Sequence, residues 1–261
     1  MSDCLLCGSD SVISQNIICK TGTYKNVSKN FDICPQCSFI RVAGNVTTYM
    51  EQLASNEQEQ RYCVLRNAGS GKHGREYFMA TMCMEIFGKR NCSITFFGAG
   101  LNTDYRAIEE QFSEVQTKLA DLENLQNASN FEHISNTSPS DIVIACEVLE
   151  HFNNPTLDMP RLINTMKPNG LICTSTNVYD GSSIAMHEYP FVEGHCAYWS
   201  PLALAYAAEK HNCHVDFRLP YIALRRGGPR KRYIFFFKDP LIGTKIKLYF
   251  GSHALAPSEA E

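Results

Sequence analysis

Asp141-Ile-Val-Ile-Ala-Cys-Glu-Val-Leu-Glu-His151 is the most informative stretch of the 261 residues. Its opening places an acid ahead of an unbroken apolar run, the composition of a strand buried on both faces of a parallel sheet. A helix over Leu157 to Met166 follows, Lys167-Pro168-Asn169-Gly170 stops it, and Leu171 to Thr176 forms the next strand. The alternation continues outward in both directions. Upstream, Arg75 to Phe87 carries Tyr77, Phe78, Met82, Ile86 and Phe87 at helical spacing. Ser93 to Phe97 is a strand, followed by a glycine turn and a helix to about Phe112. Val115 to Ala120 is a second strand ending at Asp121, and a third lies near Phe131 to Ile134. Downstream come a helix over Pro201 to His211 and two β-rich runs, His214 to Leu219 and Arg232 to Lys238, joined as an antiparallel hairpin. The fold class is α/β: a doubly wound, mostly parallel sheet with an antiparallel C-terminal hairpin.

A different module stands in front of it. Cys4-Leu-Leu-Cys7 and Cys34-Pro-Gln-Cys37 are two C-x-x-C pairs. Each such turn brings two thiolates to one ion, and two turns complete a tetrahedral Cys4 zinc site. Ile13 to Ile18 and Lys29 to Ile33 are short strands between them, so residues 1–44 form a zinc ribbon of two hairpins pinned by one ion. So short a segment has little core of its own, and metal binding supplies folding free energy. A redox C-x-x-C is the alternative, but it sits between a strand and a helix and does not come doubled. Four thiolates leave no open position, so the zinc is structural. The remaining eight of the twelve cysteines lack paired spacing and are small core residues, Cys146 being set apart by its location.

Residues 45–74 form a helical linker, 75–251 the catalytic domain, and 252–261 a loose tail. Hydrophobic residues make up 44% and charged residues 20% of the chain, enough for a packed core. The net charge of -3 argues against a general nucleic-acid binder. No apolar run is long enough for a bilayer and the N-terminus lacks signal-peptide features, so no membrane partner and a cytoplasmic location are expected.

Phe96-Phe97-Gly98-Ala99-Gly100-Leu101-Asn102 lies between a strand and a helix, where glycines let a ligand approach the backbone. A dinucleotide fingerprint needs glycine where Thr103 stands, which counts against an NAD-dependent oxidoreductase. Asp121, ending the second strand, can accept hydrogen bonds from both hydroxyls of a ribose. With the Asp141–His151 stretch and Met166-Lys-Pro-Asn-Gly170, the chain resembles class I S-adenosylmethionine-dependent methyltransferases of Rossmann-like fold. The doubled cysteine pairs extend the resemblance to the zinc-containing sugar methyltransferase branch. The resemblance implies S-adenosylmethionine as cofactor, with Phe97, Gly98, Ala99 and Gly100 along its methionine side. It implies Asp121 at the ribose, Leu122 beside the adenine, and Cys146 and Glu147 next to the methyl donor. The chain departs from the family at Phe96, where the family has an acid, and at Asn102 and Asn169, where it has glycines.

The acceptor side falls after the fifth strand, in His187-Glu-Tyr-Pro-Phe-Val-Glu-Gly-His195-Cys-Ala-Tyr198-Trp-Ser200. Sugar C-methyltransferases carry a similar stretch with a Glu-His pair; here His195, Tyr198 and Ser200 match, and Gly194 replaces the glutamate. His195 is the preferred base, because an imidazole titrates near neutrality, with Tyr198 or Glu193 assisting. His151 lies one helical turn beyond Glu147 and could reach the site. Arg225, Arg226, Arg230, Lys231 and Arg232 could grip a phosphate. The expected function is methyl transfer to a small acceptor, sugar-derived or phosphate-bearing, with oxygen favoured over carbon. The alternatives are an inert binding module of the same fold and a tRNA or protein methyltransferase that docks its substrate on the ribbon.

Overall fold

A computed structural model describes residues 3–44, 73–220 and 230–251. The 45–74 linker, the 221–229 connection and the 252–261 tail therefore lie almost wholly outside the described residues. The main sheet has seven strands: β4 (Ser93–Phe97), β5 (Gln116–Asp121), β6 (Phe131–His133), β7 (Ser140–Cys146), β8 (Met166–Asn177), β10 (His214–Arg218) and β11 (Lys231–Phe237). Their spatial order is β10-β11-β8-β7-β4-β5-β6. The five strands β8-β7-β4-β5-β6 are parallel, and β11 enters antiparallel between β8 and β10. The expected C-terminal hairpin is thus present, with its second strand innermost. Sequence order reverses on either side of β4, which places the crevice of a doubly wound sheet beyond the carboxyl ends of β4 and β7.

The strands read as they pack. Along β7, Ile142, Ile144 and Cys146 enter one apolar cluster, while Val143 and Ala145 enter the other. The first cluster is covered by α1 (Arg75–Phe87), α2 (Asp104–Gln111) and α5 (Pro240–Phe250), the second by α3 (Pro155–Asn164) and α4 (Pro201–Lys210). In β4, Phe96 points into the α1 side and Phe97 into the α3 side. Phe96 is therefore a core residue, 2% exposed.

Two boundaries differ from expectation. Helix α3 ends at Asn164, and Lys167-Pro-Asn-Gly170 is already part of β8, joined to β7 through a register shift between Ser140 and Ile142. Helix α5 had no sequence expectation; its N-cap Asp239 accepts from Leu241 N–H at 2.9 Å.

The N-terminal module has β1 (Ile13–Ile18), β2 (Ser28–Ile33) and β3 (Ile40–Val42), all antiparallel. A fourth strand, β9 (Ala197–Tyr198), comes from the segment after β8 that carries His195 and pairs with β3, Ile40 opposite Tyr198. Cys4, Leu6, Cys34, Cys37 and Phe39 join the same apolar cluster as Phe97, Val143 and Trp199. Ribbon and main sheet share one core.

Candidate active site

The four cysteines of the two C-x-x-C turns converge. Cys4 Sγ lies 3.7 Å from Cys37 Sγ, and Cys7 Sγ 3.5 Å from Cys34 Sγ. Four sulfurs at ~2.3 Å around one tetrahedral ion stand about 3.8 Å apart, so the cluster fits zinc, and these separations are far beyond a disulfide bond. Each turn is closed by a backbone bond, Gly8 N–H to Cys4 carbonyl and Ser38 N–H to Cys34 carbonyl, both 2.8 Å. The hydrogen bond between Cys4 and Cys37 pulls the first thiol down and pushes the second up, so the two sulfurs share a proton when no metal replaces it.

The glycine turn follows β4. Gly98 and Gly100 have φ of +69° and +52°, a region that disfavours side chains. A Cβ at Gly98 would also fall 2.7 Å from Val148 Cγ2, so glycine lets the turn close against the segment after β7. Asp121 is 5% exposed; its Oδ2 accepts from Gly100 N–H at 2.8 Å and its Oδ1 from Leu122 N–H at 2.7 Å. Burial raises its carboxyl above the usual range while these two bonds oppose the shift. Each oxygen keeps a second lone pair, so the carboxylate retains capacity for two hydroxyl donors. Gln126, which the sequence did not single out, clamps the same turn through Nε2 to the carbonyls of Gly100 (3.0 Å) and Asn102 (2.8 Å). Asn102, one residue before the Thr103 N-cap of α2, accepts from Asp104 N–H at 2.5 Å, which gives a polar side chain a role where the family has glycine. Of the residues expected along the turn, Phe97 and Ala99 are buried, so Phe97 faces any ligand with its backbone alone.

Cys146 and Glu147 end β7 as expected. Burial pushes the Cys146 thiol up, and its sulfur lies 3.3 Å from Ser175 Oγ. Glu147 has φ +56°, a strained conformation for a non-glycine residue. Its carboxylate accepts from Ser175 Oγ at 2.8 Å, faces Arg75 at 3.5 Å and pairs with Lys231. No helix runs through this stretch: Leu149–His151 is a single 3-10 turn. The expectation that His151 shares a helix face with Glu147 is therefore corrected.

His151 instead meets His195, with ring centroids 5.2 Å apart at 82°. His151 Nδ1 lies 2.9 Å from the Gly194 carbonyl, and His195 Nδ1 lies 2.7 Å from the Tyr189 carbonyl. A carbonyl only accepts, so Nδ1 of His195 carries the proton and Nε2 keeps its lone pair. Burial, then the charge of His151, holds the His195 imidazole well below its ordinary value, so it is neutral. Glu150, 1% exposed, stands with them; its Oε1 accepts from Tyr189 Oη, which also lies 2.9 Å from Thr176 Oγ1. Glu150 was not among the expected site residues. Its only signal was its place in Leu149-Glu150-His151.

The two expected assistants lie elsewhere. Tyr198 is 2% exposed and its hydroxyl faces His187 Nδ1 at 3.3 Å. Glu193 is exposed. Ser200 N-caps α4 by accepting from Ala203 N–H at 3.0 Å and also bonds the Cys37 carbonyl. Of the basic cluster, Arg230 pairs with Asp180 at 2.8 Å and Lys231 with Glu147, while Arg225 and Arg226 fall outside the described residues. Among the described residues, no helix is long and apolar enough to cross a membrane.

This architecture is shared. The 1,6-didemethyltoxoflavin-N1-methyltransferase of Burkholderia thailandensis, solved with 1,6-didemethyltoxoflavin and S-adenosylhomocysteine, is similar with a TM-score of 0.51 at 15% identity, over 78% of this chain and 96% of that one. The plantazolicin methyltransferase BpumL, in complex with a triazolic desmethylPZN analog and SAH, gives 0.50 at 13% identity, over 73% and 94%. The mitomycin 7-O-methyltransferase MmcR gives 0.48 at 18% identity, over 74% of this chain. The chain spans 61% of MmcR and 63% of human N-acetylserotonin methyltransferase. No curated protein matches in sequence. A family model described as a methyltransferase domain matches residues 25–216, from the loop before β2 into β10. The chain belongs to the methyltransferase-domain family.

Proposed function

We propose that the chain transfers a methyl group from S-adenosylmethionine to a small acceptor, sugar-derived or phosphate-bearing, and that oxygen is the atom methylated. The observation that carries this reading is the orientation of the His195 imidazole. Its Nδ1–H is fixed on the Tyr189 carbonyl, and Nε2 is free to accept a proton. S-adenosylmethionine, when bound, supplies a methyl carbon already activated by its sulfonium. The residues of this chain do the rest. Asp121 holds the ribose with its remaining lone pairs, and the turn at Gly98–Gly100 lets the cofactor lie against the backbone. His195 Nε2 takes the hydroxyl proton of the acceptor as the oxygen attacks. The charge that forms on the imidazole lies near the buried Glu150 carboxylate. In this reading the four cysteines hold a structural zinc, and the ribbon supports the loop that carries His195.

Calorimetric titration with S-adenosylmethionine and S-adenosylhomocysteine tests the cofactor. Micromolar binding that is lost in Asp121→Ala supports the reading and justifies screening sugar and phosphate-containing acceptors. A folded protein that binds neither nucleoside overturns it.

A further inference from the structure

The glycine turn lacks an acid at Phe96, and the structure shows why none can act from there: that side chain is sealed in the core beside α1. A different acid reaches the same turn. Glu76 lies in the first turn of α1, beside Asn102 at the end of the glycine turn and within electrostatic reach of Cys146 at the end of β7. Its position is fixed from outside the helix. Asp104 of α2 accepts from Gly74 N–H at 2.8 Å and from Tyr77 N–H at 3.0 Å, which clamps the start of α1 against the helix that follows the turn.

Two buried polar atoms in this corner, Glu76 Oε2 and Asn102 Nδ2, form no well-aligned hydrogen bond among the described residues, although the Asn102 side chain lies near enough to the Glu76 carboxyl to hold it down in part. Buried carboxylate oxygens are rarely left so, and an orphan beside a ligand cleft points to a donor that arrives with the ligand. Glu76 also makes no ion pair among the described residues. Arg75, its neighbour, attracts it electrostatically but is placed 3.5 Å from Glu147, and Asp104 adds nearby negative charge. Burial, with a contribution from Asp104, pushes the Glu76 carboxyl up to about 7.

We propose that Glu76 binds the α-ammonium of the cofactor's amino-acid end, supplying from α1 the anion that β4 lacks at Phe96. This rests on the reading of the cleft as an S-adenosylmethionine site. Asp121 stands on the β5 side of the glycine turn and Glu76 on the β7 side, so a ligand with its ribose at the first carries its charged end toward the second. An ammonium has three N–H donors and so can satisfy Oε2 directly.

The test compares two ligands by calorimetry: S-adenosylhomocysteine, and 5′-methylthioadenosine, which keeps the nucleoside and lacks the amino-acid end. Glu76→Gln keeps shape and removes charge. S-adenosylhomocysteine affinity is expected to fall at least tenfold in the variant, with 5′-methylthioadenosine changed less than twofold. Unchanged S-adenosylhomocysteine affinity, or an equal loss for both ligands, overturns the assignment. Should the variant not fold, the wild-type protein decides. The carboxylate is the binding form, so S-adenosylhomocysteine affinity falls as pH drops from 8 to 6 while 5′-methylthioadenosine affinity holds; parallel curves overturn the proposal. Wild-type protein that binds 5′-methylthioadenosine but not S-adenosylhomocysteine also overturns it and spares the nucleoside site. Binding of neither ligand overturns the methyltransferase reading with it.

Discussion

Val42 N–H donates to the Cys196 carbonyl at 2.9 Å, and this bond joins the last strand of the cysteine module to the residue after His195. Further bonds run the same way: Lys29 Nζ to the Val192 carbonyl at 2.9 Å, Thr23 N–H to Glu188 Oε1 at 2.7 Å, and Lys20 N–H to the Ala185 carbonyl at 2.7 Å. The cysteine module is thus one wall of the loop that carries His195. Trp199 packs on Phe39 of the same module with ring centroids 4.7 Å apart and donates from Nε1 to the Leu149 carbonyl at 2.8 Å.

Metal removal should therefore act on the loop that carries His195 more than on the cofactor cleft. Binding of the ion is folding free energy for the ribbon, and β9 loses its pairing partner when the ribbon loosens. Chelation, or Cys34→Ala, is expected to raise amide exchange across 195–199 and abolish turnover while S-adenosylhomocysteine affinity changes less than threefold. Protected amides at 195–199 in the metal-free protein would show that the ribbon holds the loop without its ion.

His195→Ala should lower kcat by about 10²–10⁴-fold, the usual contribution of a positioned base. Cofactor affinity should stay within twofold, because the hydrogen bonds of Asp121 go to Gly100 and Leu122 and that of His195 to Tyr189. Turnover equal to wild type would remove His195 from the chemistry.

Tyr189→Phe removes the hydroxyl that bonds Glu150 Oε1, and Glu150 Oε2 already lacks a partner among the described residues. The expected loss of stability is about 1–3 kcal/mol, the cost of an unsatisfied buried acceptor. Adding Glu150→Leu should return part of it, since the group left unpaired is then absent. Denaturant midpoints of the single and double variants measure both effects.

The two buried histidines contribute to the pH dependence of stability with a definite sign. Burial holds His195 and His187 below their ordinary values, so each binds fewer protons in the native state than in the unfolded chain once pH falls toward about 6.5. Their contribution declines on acidification, whereas the raised carboxyl of Glu76 contributes in the opposite direction. His195→Phe should flatten the decline relative to wild type between pH 7 and 5.5, and equal slopes in urea titrations would show that His195 protonates freely in the folded protein.

Asn102→Gly would restore the glycine that this chain lacks. It also deletes the acceptor for Asp104 N–H, and is expected to cost a few tenths to about 1 kcal/mol. Thermal unfolding measures this, and an unchanged midpoint would mean that water replaces the cap without loss.

Much of the scaffold was legible because it depends on local pattern. The run Asp141–Cys146 specifies a two-faced buried strand by its composition, and the cysteine pairs specify a four-thiolate cluster by their spacing. Gly98 and Asp121 were legible because a turn at a strand end restricts which residues fit it. The sequence by itself determined these elements, their order and the chemistry each could offer. Only the tertiary structure decided which groups meet. It brought Ala197–Tyr198 to the sheet of the cysteine module, His195 beside Glu150 and His151, and Glu76 to the glycine turn, all contacts between residues far apart in the chain. It also turned Tyr198 toward His187 and left Glu193 exposed. The reason is physical: periodicity reports which face of an element is buried, whereas a side chain's partner depends on how separate elements close around one core.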